Sequence, residues 1–467
     1  MNFADGRTMM ASGKNNNVNP GKTENRSGED ILNRRIAVVG AGGVGGYLAS
    51  LLGQVCTHLT LAARGPRRNA ILNDGLVLHS WEKGELKTRP ERVVPVSEMG
   101  EQDYIFICVK NYSLEEVCEE MKDAVTDDTV IVPVMNGVDP GDRIRAMLGK
   151  GTVVDSLIYI VAFANDDYSI THQGDRADIR IGIKGADREQ SRRGGEVSRL
   201  LSAAGIAHKT AEDIEREIWR KYILNCAYNV ATAYYDNTIG QLRDDPVKAK
   251  EYECLISEAY EVAAAKGVNV KPEHRDQMIY RFYHELADGA TSSLQRDLRA
   301  GKRGEVETFS GYIVREGRKL GVAMPVSEKM YEGLRRMKKT KPSMDEWLRE
   351  AKQDENAMQC GMYLFHNGVV RESAKAKVRQ GDESAGSVTG MEFSYDAELV
   401  RTAVERARSM PGIYYVRVWL NEGRLEVGDD IMLVLIGGDI RPRVVDALQA
   451  LVGEIKNNCV REKEILR

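Results

Sequence analysis

Several features that assign proteins to membrane, nucleic-acid-binding or secreted classes are absent from this sequence. The chain has no apolar run of membrane-spanning length. Its formal net charge is only −4 and it has no long basic stretch, so nucleic acid is not an expected partner. Its seven cysteines form no C-x-x-C pair and lack histidines at metal-binding spacing. This usage is typical of reduced thiols in a cytoplasmic protein, and we expect no metal site.

The pattern along the chain predicts a leader and three domains. Residues 1–33 are polar and lack the apolar core of a secretory signal, so we expect a disordered leader there, the alternative being a wrongly assigned start. Strand and helix patterns alternate over residues 34–212, and long helices follow over 213–338. A charged, proline-containing linker over 339–358 precedes mixed strands and helices over 359–467. The expected fold class is α/β, with a Rossmann-type dinucleotide-binding domain, an all-helical dehydrogenase domain and a small α+β domain in that order.

A dinucleotide-binding pattern lies near the start of the first domain. Ile36–Val39 is an apolar, β-branched run that predicts a buried strand, and an apolar helical pattern follows it after G-x-G-x-x-G. A pyrophosphate needs backbone N–H groups, no Cβ in the way, and the positive end of a helix dipole. The alternative is a glycine-rich turn that binds nothing. The predicted cofactor-binding loop consists of Gly40, Gly42, Gly43, Val44 and Gly45.

The residues after the second predicted strand indicate which dinucleotide binds. In NAD-binding proteins an acid at this point holds the ribose 2′-hydroxyl. Here Leu59–Ala63 is followed by Arg64, with Arg67 and Arg68 close behind, and no acid is present. A guanidinium suits a 2′-phosphate through charge-assisted hydrogen bonds. We therefore predict NADPH as the cofactor, with Arg64 as the first candidate and Arg67 or Arg68 in support, the alternative being a solvated basic loop.

Polar residues also follow two later strands of the predicted sheet. Lys110 comes directly after Asp103–Val109, and Asn136-Gly137 comes just after Thr129–Val134. In open α/β sheets the ligand lies outside the carboxyl ends of the strands, so Lys110 and Asn136 are predicted to face cofactor and substrate. A simple Asn-Gly turn is the alternative.

Further along, the patterns predict a hairpin from Gly75–His79 and Leu86–Pro90. Strands are predicted over Val153–Ala162 and Ile179–Ile183. Turn-forming residues occupy Asp166–Asp178 between them, which predicts a loop in that segment.

The helical domain begins with a polar stripe. Lys221, Asn225 and Asn229 are spaced i, i+4 and i+8, so they share one helix face within an otherwise apolar stretch. Burial lowers the pKa of a lysine and makes it a usable proton donor near neutral pH. A solvent-facing stripe is the alternative. Downstream, Ser292 or Ser293 is predicted to cap a helix, and Glu305 begins the next one, where a carboxylate is favourable on position alone.

Taken together, residues 35–338 resemble the ketopantoate reductase (2-dehydropantoate 2-reductase) family. The resemblance rests on the glycine loop, Cys108–Lys110, Asn136-Gly137, the W-x-K-x-x-x-N-x-x-x-N helix at 219–229, and Ser292-Ser293 with Asp297 and Glu305. It implies that NADPH delivers hydride to the C2 ketone of 2-dehydropantoate and forms (R)-pantoate, in pantothenate and coenzyme A biosynthesis.

The same resemblance implies roles for individual residues. Lys221 and Glu305 would be catalytic, Lys221 as the general acid. The substrate-binding residues would be Asn136, Asn225, Asn229 and Ser293, while Lys110 and Asn136 would stand beside the nicotinamide. Met135 replaces the family's usual glutamine, so another 2-oxo acid is the alternative substrate. A non-enzymatic NADP sensor is a further alternative, against which the intact Lys221 and Glu305 argue.

Residues 359–467 resemble the large, catalytic subunit of molybdopterin synthase. The resemblance rests on 365–371, Met391–Phe393 and Gly423–Asp429. It implies that the domain binds an anionic pterin and the tail of a small sulfur-carrier partner. Family histidines are replaced near Leu420 and Ile440, which favours binding or assembly over catalysis; the alternative is a bifunctional protein with an active synthase domain. We also consider that two copies of the chain form a homodimer. The candidate anion-site residues are Arg371, Arg441, Lys456 and Lys463.

Overall fold

The computed structural model describes residues 31–336, 342–375, 377 and 386–466. Most of the predicted leader therefore lies outside the described residues. Within it, Ile31 is buried in the core of the first unit, so the leader ends earlier than residue 33.

The first unit alternates strands and helices. Its strands are β1 (Arg35–Val39), β2 (His58–Ala62), β3 (Leu76–Ser80), β4 (Gly84–Thr88), β5 (Arg92–Val94), β6 (Tyr104–Ile107), β7 (Val130–Pro133), β8 (Thr152–Val153), β9 (Asp155–Ala164), β10 (Ile170–Gly182) and β11 (His208–Thr210). Its helices are α1 (Gly43–Leu52), α2 (Gly65–Asp74), α3 (Leu114–Glu120), α4 (Pro140–Leu148) and α5 (Arg188–Ala203).

A parallel sheet positions the dinucleotide-binding pattern. Its strand order is β5-β2-β1-β6-β7-β8, and every pairing in it is parallel. Ile36–Val39 of β1 is fully buried, as expected for a strand covered on both faces. The chain leaves β1 toward β2 on one side and returns as β6 on the other. This is a topological switch point, where a crevice opens at the carboxyl ends of the strands, and the predicted Rossmann-type domain is confirmed.

A second, mixed sheet corrects one prediction. The predicted hairpin is confirmed, because β3 and β4 pair antiparallel. The loop predicted over residues 166–178 is wrong for most of its length, because β10 begins at Ile170 and pairs antiparallel with β9. The register shifts between Gln173 and Ala177, where Gly174 has a φ of +81°. This bulge accommodates turn-forming residues inside a strand and hides the strand from pattern analysis.

The second unit is entirely helical between residues 214 and 336, as predicted. Its central helix α6 is capped by Asp213, which accepts a hydrogen bond from the N–H of Arg216, and it ends at Asp236 in a left-handed conformation. Its helices are α6 (Ile214–Tyr235), α7 (Ile239–Asp244), α8 (Pro246–Ala265), α9 (Pro272–His284), α10 (Ser293–Arg299), α11 (Tyr312–Leu320) and α12 (Pro325–Arg336), with a π-helical turn at Glu307–Gly311 ahead of α11.

The third unit is α+β, as predicted. Its sheets have the orders β12-β16-β14 and β15-β13-β17. Its elements are α13 (Met344–Ala351), β12 (Met362–Val369), β13 (Val388–Tyr395), α14 (Ala397–Arg408), β14 (Ile413–Leu420), β15 (Gly423–Glu426), β16 (Asp430–Gly438), α15 (Arg441–Glu454) and β17 (Val460–Leu466).

Helix α13 corrects the predicted linker over 339–358. Trp347 and Ala351 are buried against Leu433 and Leu435 of β16. Ser343 caps the helix by accepting a hydrogen bond from the N–H of Glu346. Residues 343–351 thus form part of the third unit. In the described part of the chain, no helix combines the length and apolarity needed to cross a bilayer.

Candidate active site

The glycine loop closes tightly on one side and is open on the other. Gly40 has a φ of +100°, and its N–H donates to the carbonyl of Ala62. A Cβ on Gly45 would lie 1.8 Å from the Gly40 oxygen, so this glycine is required by the packing of α1 on β1. Gly42, by contrast, has no neighbour within 4 Å of a Cβ position, and no side chain caps the α1 N-terminus. The structure therefore leaves open the space that a pyrophosphate would occupy.

The predicted 2′-phosphate residues separate in the structure. Arg64 occupies the N-cap position of α2 directly beyond β2 without capping it, and its side chain is half exposed. Arg67 donates to the carbonyl of Ala41 in the glycine loop. Arg68 turns away, because its Nε donates to the carbonyl of Val93 at 3.0 Å. Arg64 and Arg67 thus remain at the adenosine end of the crevice, and Arg68 does not.

A buried carboxylate joins the first two units. Glu305 is 4% exposed, and its Oε1 accepts the backbone N–H of Asn111 at 3.2 Å. Its Oε2 accepts from Lys110 Nζ at 3.2 Å, and the same ammonium is 3.1 Å from Asp297 Oδ2. Burial alone would lower the pKa of Lys110, but Glu305 and Asp297 outweigh it and raise that pKa. Glu305 precedes the π-helical turn and faces the strand ends of the first unit rather than its own helix.

Asn136 connects this carboxylate to Lys221. Its Nδ2 donates to Glu305 Oε2 at 3.4 Å, and its Oδ1 accepts from Lys221 Nζ at 3.4 Å. Burial lowers the pKa of Lys221 to about 8, although the charge of Glu305 acts in the opposite direction. Asn111 Nδ2 donates to the Asn136 carbonyl at 2.7 Å and fixes the turn that carries it. The sequence-predicted Lys221, Glu305, Asn136 and Lys110 are therefore brought together.

The remaining predicted substrate residues are arranged differently. Asn225 lies beside Lys221, and the two side chains line one small recess. Asn229 is buried, and its Oδ1 accepts from Ser293 Oγ at 3.2 Å and from the N–H of Leu294 at 3.3 Å. Ser292, not Ser293, caps α10. Asn229 thus holds the start of α10 in place, while Ser293 already donates its single hydroxyl proton within the protein.

Lys221 also reaches a cavity of about 520 Å³ between the first two units. Tyr159 forms one wall, and its ring centroid is 5.8 Å from Lys221 Nζ. Arg180 and Arg220 line the same cavity and both pair with Glu217. Tyr159 and these arginines had no predicted role, because they occur singly and in no recognisable spacing.

Two further contacts had no predicted role. Asp297 pairs with Lys110 although 187 residues separate them, and Asn111 accepts from Arg143 Nη1 at 2.6 Å. The sequence carried one signal that Asp297 belongs to the site. Asp297 lies four residues after Ser293, and this spacing places the two on one helix face.

The candidate anion-site residues of the third unit do not form one cluster within the chain. Arg441 follows Gly438, which pairs with Met362 at the start of β12, whereas Arg371 follows the opposite end of that strand. The two positions are therefore more than about 20 Å apart along the strand. Lys456 lies near His366 in the middle of β12, and its charge adds to burial in lowering the pKa of that histidine. The fourth residue, Lys463, lies on the other sheet, opposite Glu392.

Two family models match the first two units. The model described as ketopantoate reductase PanE/ApbA matches residues 36–185, and the model of the C-terminal part of that family matches residues 213–338. The chain belongs to the ketopantoate reductase family over these residues. Residues 337–458 match the model described as MoaE protein, and this match includes α13. The chain is thus an oxidoreductase of the ketopantoate reductase family with a MoaE-like third unit.

Individual relatives agree with this assignment. The uncharacterized oxidoreductase YkpB of Bacillus subtilis is 28% identical over 300 residues, which cover 64% of this chain and 97% of that protein. The 2-dehydropantoate 2-reductase of Mesorhizobium japonicum is 26% identical over 325 residues, covering 65% of this chain and 97% of that protein. The crystal structure of a PanE/ApbA family ketopantoate reductase from Ralstonia eutropha matches with a TM-score of 0.59 and 26% identity, covering 64% of this chain and 97% of that one.

Proposed function

We propose that this chain reduces 2-dehydropantoate to (R)-pantoate with NADPH. One observation carries the proposal. The Lys221 ammonium, with a pKa lowered to about 8, lies 3.4 Å from Asn136, which follows β7 at the crevice that begins with the glycine loop. A proton donor of this kind is what carbonyl reduction requires beside a dinucleotide site.

The cofactor-binding residues fit a dinucleotide with a 2′-phosphate. The open side of Gly42 and the uncapped N-terminus of α1 suit the pyrophosphate. Arg64 and Arg67, at the end of β2 and over the glycine loop, would hold the 2′-phosphate. When bound, the reduced nicotinamide supplies the hydride to the substrate's carbonyl carbon.

Lys221 completes the reaction on the oxygen side. As the carbonyl carbon accepts hydride, negative charge develops on its oxygen, and the Lys221 ammonium stabilises that charge and then transfers a proton to it. The products are a hydroxyl group and a neutral amine, which regains its proton from solvent. The hydrogen bond from Nζ to Asn136 Oδ1 fixes the direction of the ammonium before the substrate arrives.

Glu305 and Lys110 organise the opposite wall. Glu305 accepts from Asn136 and holds it toward Lys221, while the Lys110 ammonium balances the charge of Glu305 and also pairs with Asp297. Asn225 beside Lys221 would bind substrate oxygens. Ser293 would bind the substrate carboxylate after turning its hydroxyl away from Asn229, which we assign as a positioning residue.

The test is a spectrophotometric assay of NADPH oxidation with a panel of 2-oxo acids. We expect 2-dehydropantoate to be the best substrate, and Lys221→Ala to lower kcat by about a hundredfold or more, as expected for loss of a general acid. Lys209→Ala, which removes an exposed lysine on β11, is the matched control. Equal turnover in wild type and Lys221→Ala would reject the assignment, and preference for another 2-oxo acid would reject the substrate.

For the third unit we propose binding of a small sulfur-carrier protein rather than synthase catalysis. The match to MoaE protein supports the partner. The separation of Arg441 from Arg371 within one chain speaks against a complete anion site in a single copy. Calorimetric titration with a thiocarboxylated carrier tests binding, and conversion of a precursor pterin in the same mixture would reject the non-catalytic role.

A further inference from the structure

Helix α14 of the third unit lies against the start of α2. Asp396, at the N-terminus of α14, places Oδ2 2.8 Å from Arg64 Nη2. Glu398, in the first turn, places Oε1 3.8 Å from Arg67 Nη2. A Cβ on Gly65, the first residue of α2, would lie 3.7 Å from Thr402 Oγ1. Both guanidiniums at the adenosine end of the crevice therefore have a carboxylate partner from the third unit.

An aromatic side chain strengthens the same contact. Tyr168, in the turn between β9 and β10, lies between two arginines, with Arg67 5.6 Å and Arg401 of α14 4.4 Å from its ring centroid. Tyr168 has a φ of +69°, which is uncommon for a residue with a side chain. The contact thus consists of two ion pairs and a stacked ring rather than one isolated pair.

The third unit also touches the helical unit across the crevice. Arg303, ahead of Glu305, pairs with Glu422 of the third unit at 3.3 Å. The guanidinium of Arg303 lies 4.2 Å from the ring centroid of Tyr112, which follows Lys110 by two residues. The third unit therefore contacts both walls of the crevice, at Arg64 and Arg67 on one wall and at Arg303 on the other.

From this arrangement we infer that Asp396 and Glu398 weaken the binding of NADPH to the reductase, by competing with its 2′-phosphate for Arg64 and Arg67. The inference rests on the proposed NADPH-dependent function. A 2′-phosphate carries negative charge and needs the same guanidinium donors. It would find those donors already paired, and the two carboxylates would repel it. NADH has only a hydroxyl at this position and is not opposed. The two carboxylates therefore lower the affinity for NADPH, and leave that for NADH unchanged, while the third unit is docked.

Neutral variants separate the effect of the carboxylate charges from that of helix capping. Asp396 also caps α14, accepting from the N–H groups of Glu398 and Leu399, and asparagine caps helices as well as aspartate does. Asp396→Asn thus removes the charge and keeps the cap, and Glu398→Gln is its counterpart in the first turn. Asp446→Asn, an exposed acid on α15, is the matched control.

Affinities for NADPH and NADH are measured by fluorescence titration of the full chain. We expect Asp396→Asn with Glu398→Gln to bind NADPH about tenfold more tightly, each single variant to show part of this gain, and NADH affinity to change less than about twofold. We also expect NADPH, and not NADH, to raise amide hydrogen exchange in the first turn of α14 in wild type, because the ion pairs must open.

The possible failures are distinguishable. An unchanged ratio of NADPH to NADH affinity in the double variant, with turnover of 2-oxo acids intact, overturns the competition and leaves the reductase function standing. A similar gain in Asp446→Asn also overturns it, since the effect would then be one of overall charge. Binding of neither dinucleotide by wild type and double variant overturns both the competition and the proposed function.

Discussion

The lowered pKa of Lys221 predicts how the rate of reduction depends on pH. Lys221 must be protonated to donate to the developing alkoxide, so kcat/KM should be highest at low pH and should fall as pH rises through about 8. A lysine with that pKa is about 91% protonated at pH 7 and about 9% protonated at pH 9. We therefore expect kcat/KM for carbonyl reduction to fall about tenfold between these values.

Glu305 provides the perturbation that tests the cause. Its charge raises the pKa of Lys221 against the stronger effect of burial. Glu305→Gln removes that charge and keeps an oxygen to accept the backbone N–H of Asn111. The alkaline limb of kcat/KM should then move to lower pH, by about half a pH unit or more.

Initial rates of NADPH oxidation at substrate concentrations well below KM, from pH 6 to 10, give the limb for each protein. Glu307→Gln is the matched control, because Glu307 is two residues further on but pairs with the exposed Arg315. A limb that is absent, or that moves to higher pH in Glu305→Gln, would show that Lys221 is not the titrating donor.

Two further predictions concern stability and the cofactor loop. Lys221→Met should raise the free energy of unfolding at pH 7 by about 1–3 kcal/mol, because a lysine with a lowered pKa destabilises the fold below that pKa. The gain should shrink as pH rises from 8 toward 10.5, and denaturant titrations that show no gain at pH 7 would contradict it. Gly42→Ala should fold normally yet lose about tenfold or more in NADPH affinity, since its Cβ enters only the open space. Gly45→Ala should instead lower the melting temperature even without cofactor, because its Cβ would lie 1.8 Å from a loop oxygen; equal melting temperatures for the two variants would refute the distinction.

Local patterns were sufficient for much of the fold and part of the site. Ile36–Val39 and the glycines after it predict a buried strand and a tight turn because hydrophobic periodicity and missing side chains act over a few residues. The stripe of Lys221, Asn225 and Asn229 follows from helix geometry alone. The strand that begins at Ile170 did not follow, because its pairing with β9 and its bulge override residues that favour turns.

What the sequence by itself determined is most of the elements and the chemical type of the residues at the crevice, since these depend on spacing along the chain. Only the tertiary structure decided how those residues are paired. Lys110 meets Asp297, Asn136 links Lys221 to Glu305, and Asp396 reaches Arg64. Such contacts join residues that are far apart in sequence. Their burial and charge, which determine pKa and ligand preference, arise only when separate units pack against one another.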